Sequence, residues 1–334
     1  MSKLPYDIMQ KYIFNRKGVE DPDVLCGPAM GEDAAVIRIG SRVAAVHADP
    51  IVGAIRKIGW LSVHIACNDI AVQGVPPRWI VPVIILPEKH REELIDDITS
   101  DIHSAAREIS VAVVGGHIGY AAGLDRPLIA TTAIGEAAEE EVVYTRGTQP
   151  GDLVCVTKGA GIEGSAIIAF DFTDLLRDHG VPESVIEHAQ SMMSEISVVR
   201  EALALRDRGA TAMHDATRGG VMEAMIETAL ASGVKFEIEE DKIPVRRETR
   251  ILAEKIDFDP LWLIGSGSVI ATIPVAAADQ TMETFQRLGT EFAVIGKAVP
   301  GCGVALHRSY GGVEKFEAPR MEEDELARLW KLYK

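Results

Sequence analysis

What most constrains this 334-residue chain is a succession of short apolar runs, interleaved with longer amphipathic stretches but never in a regular strand-helix repeat. Residues 34–39, 43–48, 80–86, 111–114 and 128–134 are rich in Val, Ile and Ala and bounded by Gly, Pro or charge, as strands are. After Pro87, Leu94, Ile98, Ile102 and Ile109 recur near helical spacing while Glu92, Glu93, Asp97, Arg107 and Glu108 supply a wet side, which predicts a helix. Residues 60–73 read as another helix, with Leu61, Ile65 and Val72 on its apolar stripe.

The turn Pro150-Gly151 follows the charged run Glu139-Glu140-Glu141 and precedes a strand at 153–157, which places a domain boundary there. Beyond it, helices are expected near 182–208, 220–231, just before Asp257, 276–288 and 322–332. Strands are expected near 234–238, 269–273, 292–295 and 304–307. Neither half carries the G-x-G-x-x-G turn of a dinucleotide-binding sheet, so the expected class is α+β. The expected division is an N-terminal domain 1–149, a C-terminal domain 150–312 and a helical tail 313–334.

A formal charge of −16 argues against a broad nucleic-acid surface, which is built from clustered Lys and Arg. It is compatible with a nucleotide whose phosphates are bridged to carboxylates by magnesium. The start has no secretory apolar core and no later stretch is long and uncharged enough for a bilayer, so a cytoplasmic protein without a membrane partner is expected. Cys26, Cys67, Cys155 and Cys302 form no C-x-x-C pair, and their expected role is that of small buried hydrophobes.

Several polar positions then stand out. Gly31-Glu32-Asp33 puts a carboxylate at the mouth of a strand, and Asp49 ends the strand 43–48; taken alone, a plain turn is the commoner explanation of each. Asn68-Asp69 lies in an otherwise apolar helix, where two polar side chains need either each other or a metal. Asp215-Ala216-Thr217-Arg218-Gly219-Gly220 feeds a helix N-terminus, which offers unpaired N–H groups and a positive dipole to an anion; the competing reading is a capped helix start. Gly115-Gly116-His117 and the loop from Lys158 to Gly164 also follow strands, but the latter is not a P-loop. Together these acids and glycine turns suit phosphates held through magnesium, a hard cation that takes oxygen ligands.

The ordered set Gly31-Glu32-Asp33-Ala34-Ala35-Val36, Asp49, Asn68-Asp69-Ile70-Ala71-Val72-Gln73-Gly74, Gly115-Gly116-His117, Gly151-Asp152-Leu153-Val154, Asp215 to Gly220 and Asp259-Pro260-Leu261 resembles a known superfamily. It contains aminoimidazole ribonucleotide (AIR) synthetase, the hydrogenase-maturation protein HypE, selenophosphate synthetase and thiamine-monophosphate kinase, and the chain looks HypE-like within it. The resemblance spans residues 27–307 and implies an N-terminal α+β domain that pairs strands in a homodimer, followed by a C-terminal α/β domain. It further implies ATP and Mg2+, with Asp33, Asp49, Asp69 and Asp215 as magnesium ligands supported by Asn68. Gly31, Gly115, Gly116, Thr217, Gly219 and Gly220 would border the nucleotide, and His117, Lys158 and Arg218 would be catalytic.

The expected activity is ATP-dependent phosphorylation of a carbonyl, amide or similar oxygen, with the acceptor left open. An ATP-binding maturation scaffold without turnover, or a kinase resembling thiamine-monophosphate kinase, are the alternatives. HypE proper carries a terminal cysteine; here none follows Cys302, so a relative of HypE is expected, not HypE itself.

Overall fold

The computed structural model describes residues 6–51, 57–89, 92–320 and 324–333. Its segments gather into two units, one of Val19–Gly27 with Asp33–Val142, the other of Met1–Gly18 and Pro28–Glu32 with Val143–Lys334. They are called here the N-terminal and C-terminal units. Helix α1 (Tyr6–Met9) belongs to the latter.

In the N-terminal unit β1 (Val24–Cys26), β2 (Ala35–Ile39), β3 (Arg42–Ile51), β4 (Pro77–Pro87), β5 (Ala112–Val113), β6 (His117–Ala121) and β7 (Leu128–Ala137) form one sheet. The order is β1-β2-β3-β7-β4-β5, with β6 also on β4. Pairing is antiparallel except where β5 and β6 run parallel to β4. Helix α2 (Ile58–Val72) packs on β3 and β7, and every one of its residues is buried. A helix with apolar residues on every side must be covered on every side. Its second cover is α3 (Glu93–Glu108), which turns Ile98, Ile102, Ala105 and Ala106 inward.

Two glycines permit this sandwich. A Cβ on Gly59 would meet the carbonyl oxygen of Ile98 at 2.4 Å, and one on Gly135 would meet Ile70 Cγ2 at 2.6 Å.

The C-terminal unit is built on β8 (Leu153–Thr157), β9 (Ala212–Asp215), β10 (Val234–Glu239), β11 (Val269–Ile273), β12 (Phe292–Pro300), β13 (Gly303–His307) and β14 (Val313–Phe316). They run in the order β14-β13-β10-β12-β8-β11-β9, with β10 and β13 the parallel pair. The helices are α4 (Ile162–Asp171), α5 (Thr173–Asp178), α6 (Glu183–Ser191), α7 (Val199–Asp207), α8 (Gly220–Ser232), α9 (Arg247–Ile256), α10 (Ala278–Leu288) and α11 (Glu325–Tyr333). One core forms where Val221, Met225, Ile226 and Ala229 of α8 meet Val156, Phe236, Ile270 and Ile295 of the sheet. A second lies among helices, with Ile168, Ile186, Leu252, Ile256, Leu326 and Leu329 in contact. Two mixed units with mainly antiparallel sheets are the α+β class expected.

The structure corrects the sequence reading at several places. The helix expected over 182–208 is broken into α6, a short 3-10 turn Met192–Glu195 and α7. The Lys158 ammonium donates to the carbonyls of Glu195 and Ser197, acceptors that a continuous helix would have used itself. Strands β1, β6, β9 and β14 were not anticipated, nor was α4, whose buried Gly164, Ala166 and Ala169 blur any periodic stripe. The final helix begins at Glu325; residues 322 and 323 of the expected span lie outside the described residues. Cys26, Cys67 and Cys155 are buried as expected, but Cys302 is exposed at the turn between β12 and β13. Burial pushes the Cys155 thiol up to about 12.

Candidate functional site

In the N-terminal unit, Asp33 sits half-buried two residues before β2. Asp49 does not end a strand as expected. β3 continues to Ile51, and Asp49 is held in the ladder opposite Thr131 of β7. Side chains two apart on a strand share a face, so His47 and Asp49 project together. His47 Nε2 lies 3.4 Å from Asp69 Oδ2 on α2. Asn68 and Asp69 are 0% and 7% exposed, so both side chains are enclosed within the fold. His47 was missed from the sequence; the signal for it was its position two residues before Asp49.

Among the described residues of this unit, no three carboxylate or imidazole donors converge within 4.8 Å. Gly115, Gly116 and His117 are exposed at the step from β5 into β6, and His117 is a strand residue paired with Val83 of β4.

In the C-terminal unit, β9 delivers His214 and Asp215 into the interior, where Asp215 is 1% exposed. His214 Nε2 is 2.9 Å from Glu227 Oε2 on α8, a buried pair that the sequence reading missed because strand and helix supply one partner each. After Asp215 the chain crosses Thr217 and Arg218 and turns through Gly219 (φ +77°) and Gly220 (φ +64°) into α8. The turn is tied on both sides: Gly220 N–H donates to Thr217 O at 3.1 Å, and Gly265 N–H donates to the same carbonyl at 3.0 Å.

Gly31 (φ +74°) approaches α8 so closely that a Cβ there would sit 3.2 Å from the Glu227 carbonyl oxygen. Beside it Glu32 is ion-paired with Arg146, another contact invisible in the local pattern.

Lys158 departs from its expected role. Its Nζ donates to Glu195 O at 2.8 Å and Ser197 O at 2.6 Å, and Glu201 Oε1 lies 3.4 Å away. Burial lowers its pKa, partly countered by the Glu201 carboxylate. Its ammonium thus organises the α6–α7 break, in place of the phosphate contact its glycine-rich loop suggested. Lys158→Met is expected to destabilise the C-terminal unit by about 2 kcal/mol, since hydrogen bonds from a buried charge are lost. A thermal melt checks this, and nucleotide affinity of the folded variant should match wild type.

Two α+β units, one with a polar Asn-Asp pair on a buried helix and the other with a glycine turn opening a helix over its sheet, are the architecture of an AIR synthase-type protein. Residues 31–137 match the family described as AIR synthase related protein, N-terminal domain, and residues 149–309 match its C-terminal domain. The chain belongs to this family and is HypE-like within it.

It is 29% identical over 279 residues to a putative hydrogenase expression/formation protein of Methanocaldococcus jannaschii, covering 80% of this chain and 79% of that protein. To the carbamoyl dehydratase HypE of Escherichia coli K12 it is 26% identical over 278 residues, covering 82% and 80%. A crystal structure of E. coli HypE superposes with a TM-score of 0.73 at 26% identity, covering 85% and 88%. A HypE in complex with ATP shares the fold with a TM-score of 0.71 at 22% identity, covering 94% and 90%.

Proposed function

We propose that this chain is an ATP-dependent enzyme that phosphorylates a carbonyl, amide or similar oxygen, with magnesium held by its aspartates. The observation that carries the reading is Asn68-Asp69, a polar pair on a fully buried helix. Asp69 is only 7% exposed, lies 3.4 Å from His47 Nε2 and supplies the carboxylate oxygens that a hard cation takes. The pair stands at the position where the family resemblance calls for a metal ligand. Relatives that carry the fold with ATP bound, and a relative named carbamoyl dehydratase, support the same reading.

In this proposal Asp33, Asp49 and Asp69 hold magnesium from the N-terminal unit, and Asn68 orients Asp69. Asp215, Thr217, Arg218, Gly219 and Gly220 form the metal and anion element of the C-terminal unit. Magnesium, when bound, neutralises phosphate charge. The residues do the rest by position: the α8 turn offers the Gly219 N–H to a phosphate oxygen, Arg218 adds charge, and exposed His117 offers an imidazole to the acceptor or phosphate. A bond forms between the acceptor oxygen and the γ-phosphorus while the bridging bond to the β-phosphate breaks, releasing ADP. The phosphorylated oxygen is then a leaving group. Val113, Val114, Ile118 and Tyr120 are exposed on and beside β5 and β6, which supports a homodimer through that edge.

Purified protein given ATP with and without Mg2+, alone and with cell extract, tests the proposal. ADP release that requires Mg2+ is the expected result. Tight ATP binding without release under every condition would overturn it in favour of a scaffold, and a stable phosphorylated metabolite would mark a kinase.

A further inference from the structure

The α8 turn already holds an anion, and the chain supplies it. Gly219 N–H donates to Asp324 Oδ2 at 2.9 Å, while Leu326 N–H, in the first turn of α11, donates to Asp324 Oδ1 at 2.8 Å. One carboxylate, only 8% exposed, therefore closes the N-terminal ends of two helices that are far apart in sequence.

Arg320 N–H donates to Glu223 Oε2 of α8 at 3.1 Å, and the Arg320 guanidinium stands 4.5 Å over the Trp262 ring. Farther on, Leu326 and Leu329 are buried against the helical core, Trp330 Nε1 donates to Asp171 at 2.9 Å, and Arg328 donates to the Asp257 carbonyl.

A helix N-terminus favours negative charge, so what sits at Gly219 is a fair image of what the turn accepts. The α11 cap alone would need only one of the two carboxylate oxygens. The second is directed at the turn that, in the function proposed above, borders phosphate. Burial raises the Asp324 carboxyl above its ordinary range despite the two amides and the nearby Arg218, and Glu325 opposes its charge further. The carboxylate is thus held against a desolvation cost, and a phosphate, with more charge to place at the same N–H, is a competent rival for it.

We infer that Asp324 is an internal stand-in for a phosphate oxygen, and that the stretch from Asp324 through α11 is an autoinhibitory strap that must release the Gly219 turn before phosphate can occupy it. This rests on the assignment of that turn to phosphate.

Asp324→Asn is the informative variant, because asparagine still caps a helix but removes the charge that competes at Gly219. Mg-ATP and inorganic phosphate are each titrated into the wild type and this variant, with hydrogen exchange of α11 followed in parallel. The expected result is tighter binding by the variant, on the order of tenfold, the middle of the range for coupled sites. In the wild type, saturating ligand should lower the protection of the α11 amides.

Equal affinities with unchanged α11 protection would leave Asp324 as a helix cap and overturn the strap while the ATP assignment stands. Failure of both proteins to bind either probe would overturn the strap and the phosphate assignment together. If the variant melts early, the wild-type exchange decides alone: α11 protection that does not fall on ligand binding refutes the inference.

Discussion

Asp69→Asn is expected to weaken magnesium-dependent ATP binding by about ten- to a hundredfold, the scale on which groups around a bound metal contribute. Asparagine fills the same volume, so α2 keeps its packing between the sheet and α3. What changes is charge. Asp69 is 7% exposed and lies 3.4 Å from His47, so its carboxylate is the charged group of α2 that the fold encloses most completely. Removing a buried charge does not by itself unfold a chain, and the melting temperature should stay near that of wild type or rise. Titrations with Mg2+ and with EDTA separate the possibilities. A loss confined to the Mg2+ arm assigns Asp69 to the metal, an equal loss in both arms assigns it to the nucleotide directly, and no loss in either refutes the site.

The sequence makes parts of this protein legible because some of its instructions are local. The α3 stripe of Ile98 and Ile102, the strands at 128–134 and 269–273, and the glycine-led start of α8 each follow from periodicity or from turn chemistry, and each formed. The polar pair Asn68-Asp69 was also readable, because two polar side chains in a mostly apolar helix are conspicuous wherever the helix ends up.

Long-range contacts were not readable. The break between α6 and α7 is imposed by Lys158, which local propensity around Ile196 cannot report. Strand β9 has only Ala212-Met213-His214-Asp215, all buried, so no alternation marks it. The pairs Glu32–Arg146 and His214–Glu227 and the Asp324–Gly219 contact each join residues from separate elements. They became visible only once the sheet order and the course of α8 were known. Asp49 shows an intermediate case: its residue type was noticed from the sequence, but its place inside β3, opposite Thr131, depends on where the β7 partner ends.

Gly220→Ala should be among the most destabilising single substitutions in the C-terminal unit, by about 4 kcal/mol. Two causes add. Gly220 has φ +64°, a left-handed conformation that costs a residue with a Cβ about 1–2 kcal/mol. That Cβ would also lie 2.5 Å from Leu261 O and 2.6 Å from Leu263 O, both main-chain atoms, and forcing them apart costs about 1–3 kcal/mol. The neighbouring chain cannot yield easily, since Met222 N–H donates to Leu261 O and Gly265 N–H to Thr217 O. For a unit of this size the melting temperature should fall by about 8–16 °C.

Gly209→Ala isolates the second cause. Gly209 has a similar φ of +78° but nothing within 4 Å of its would-be Cβ, so only the backbone strain remains and a fall of about 2–8 °C is expected. Comparable losses at the two positions would show that Gly220 is not pressed against 261–263. A larger loss at Gly220, with weaker binding of inorganic phosphate by whatever fraction still folds, would show that close main-chain packing holds the turn in the shape that presents the Gly219 N–H. In the function proposed above, that N–H serves Asp324 or a phosphate only while both glycines stay left-handed, so the residue that would admit the ligand and the residue that admits the fold are neighbours in one turn.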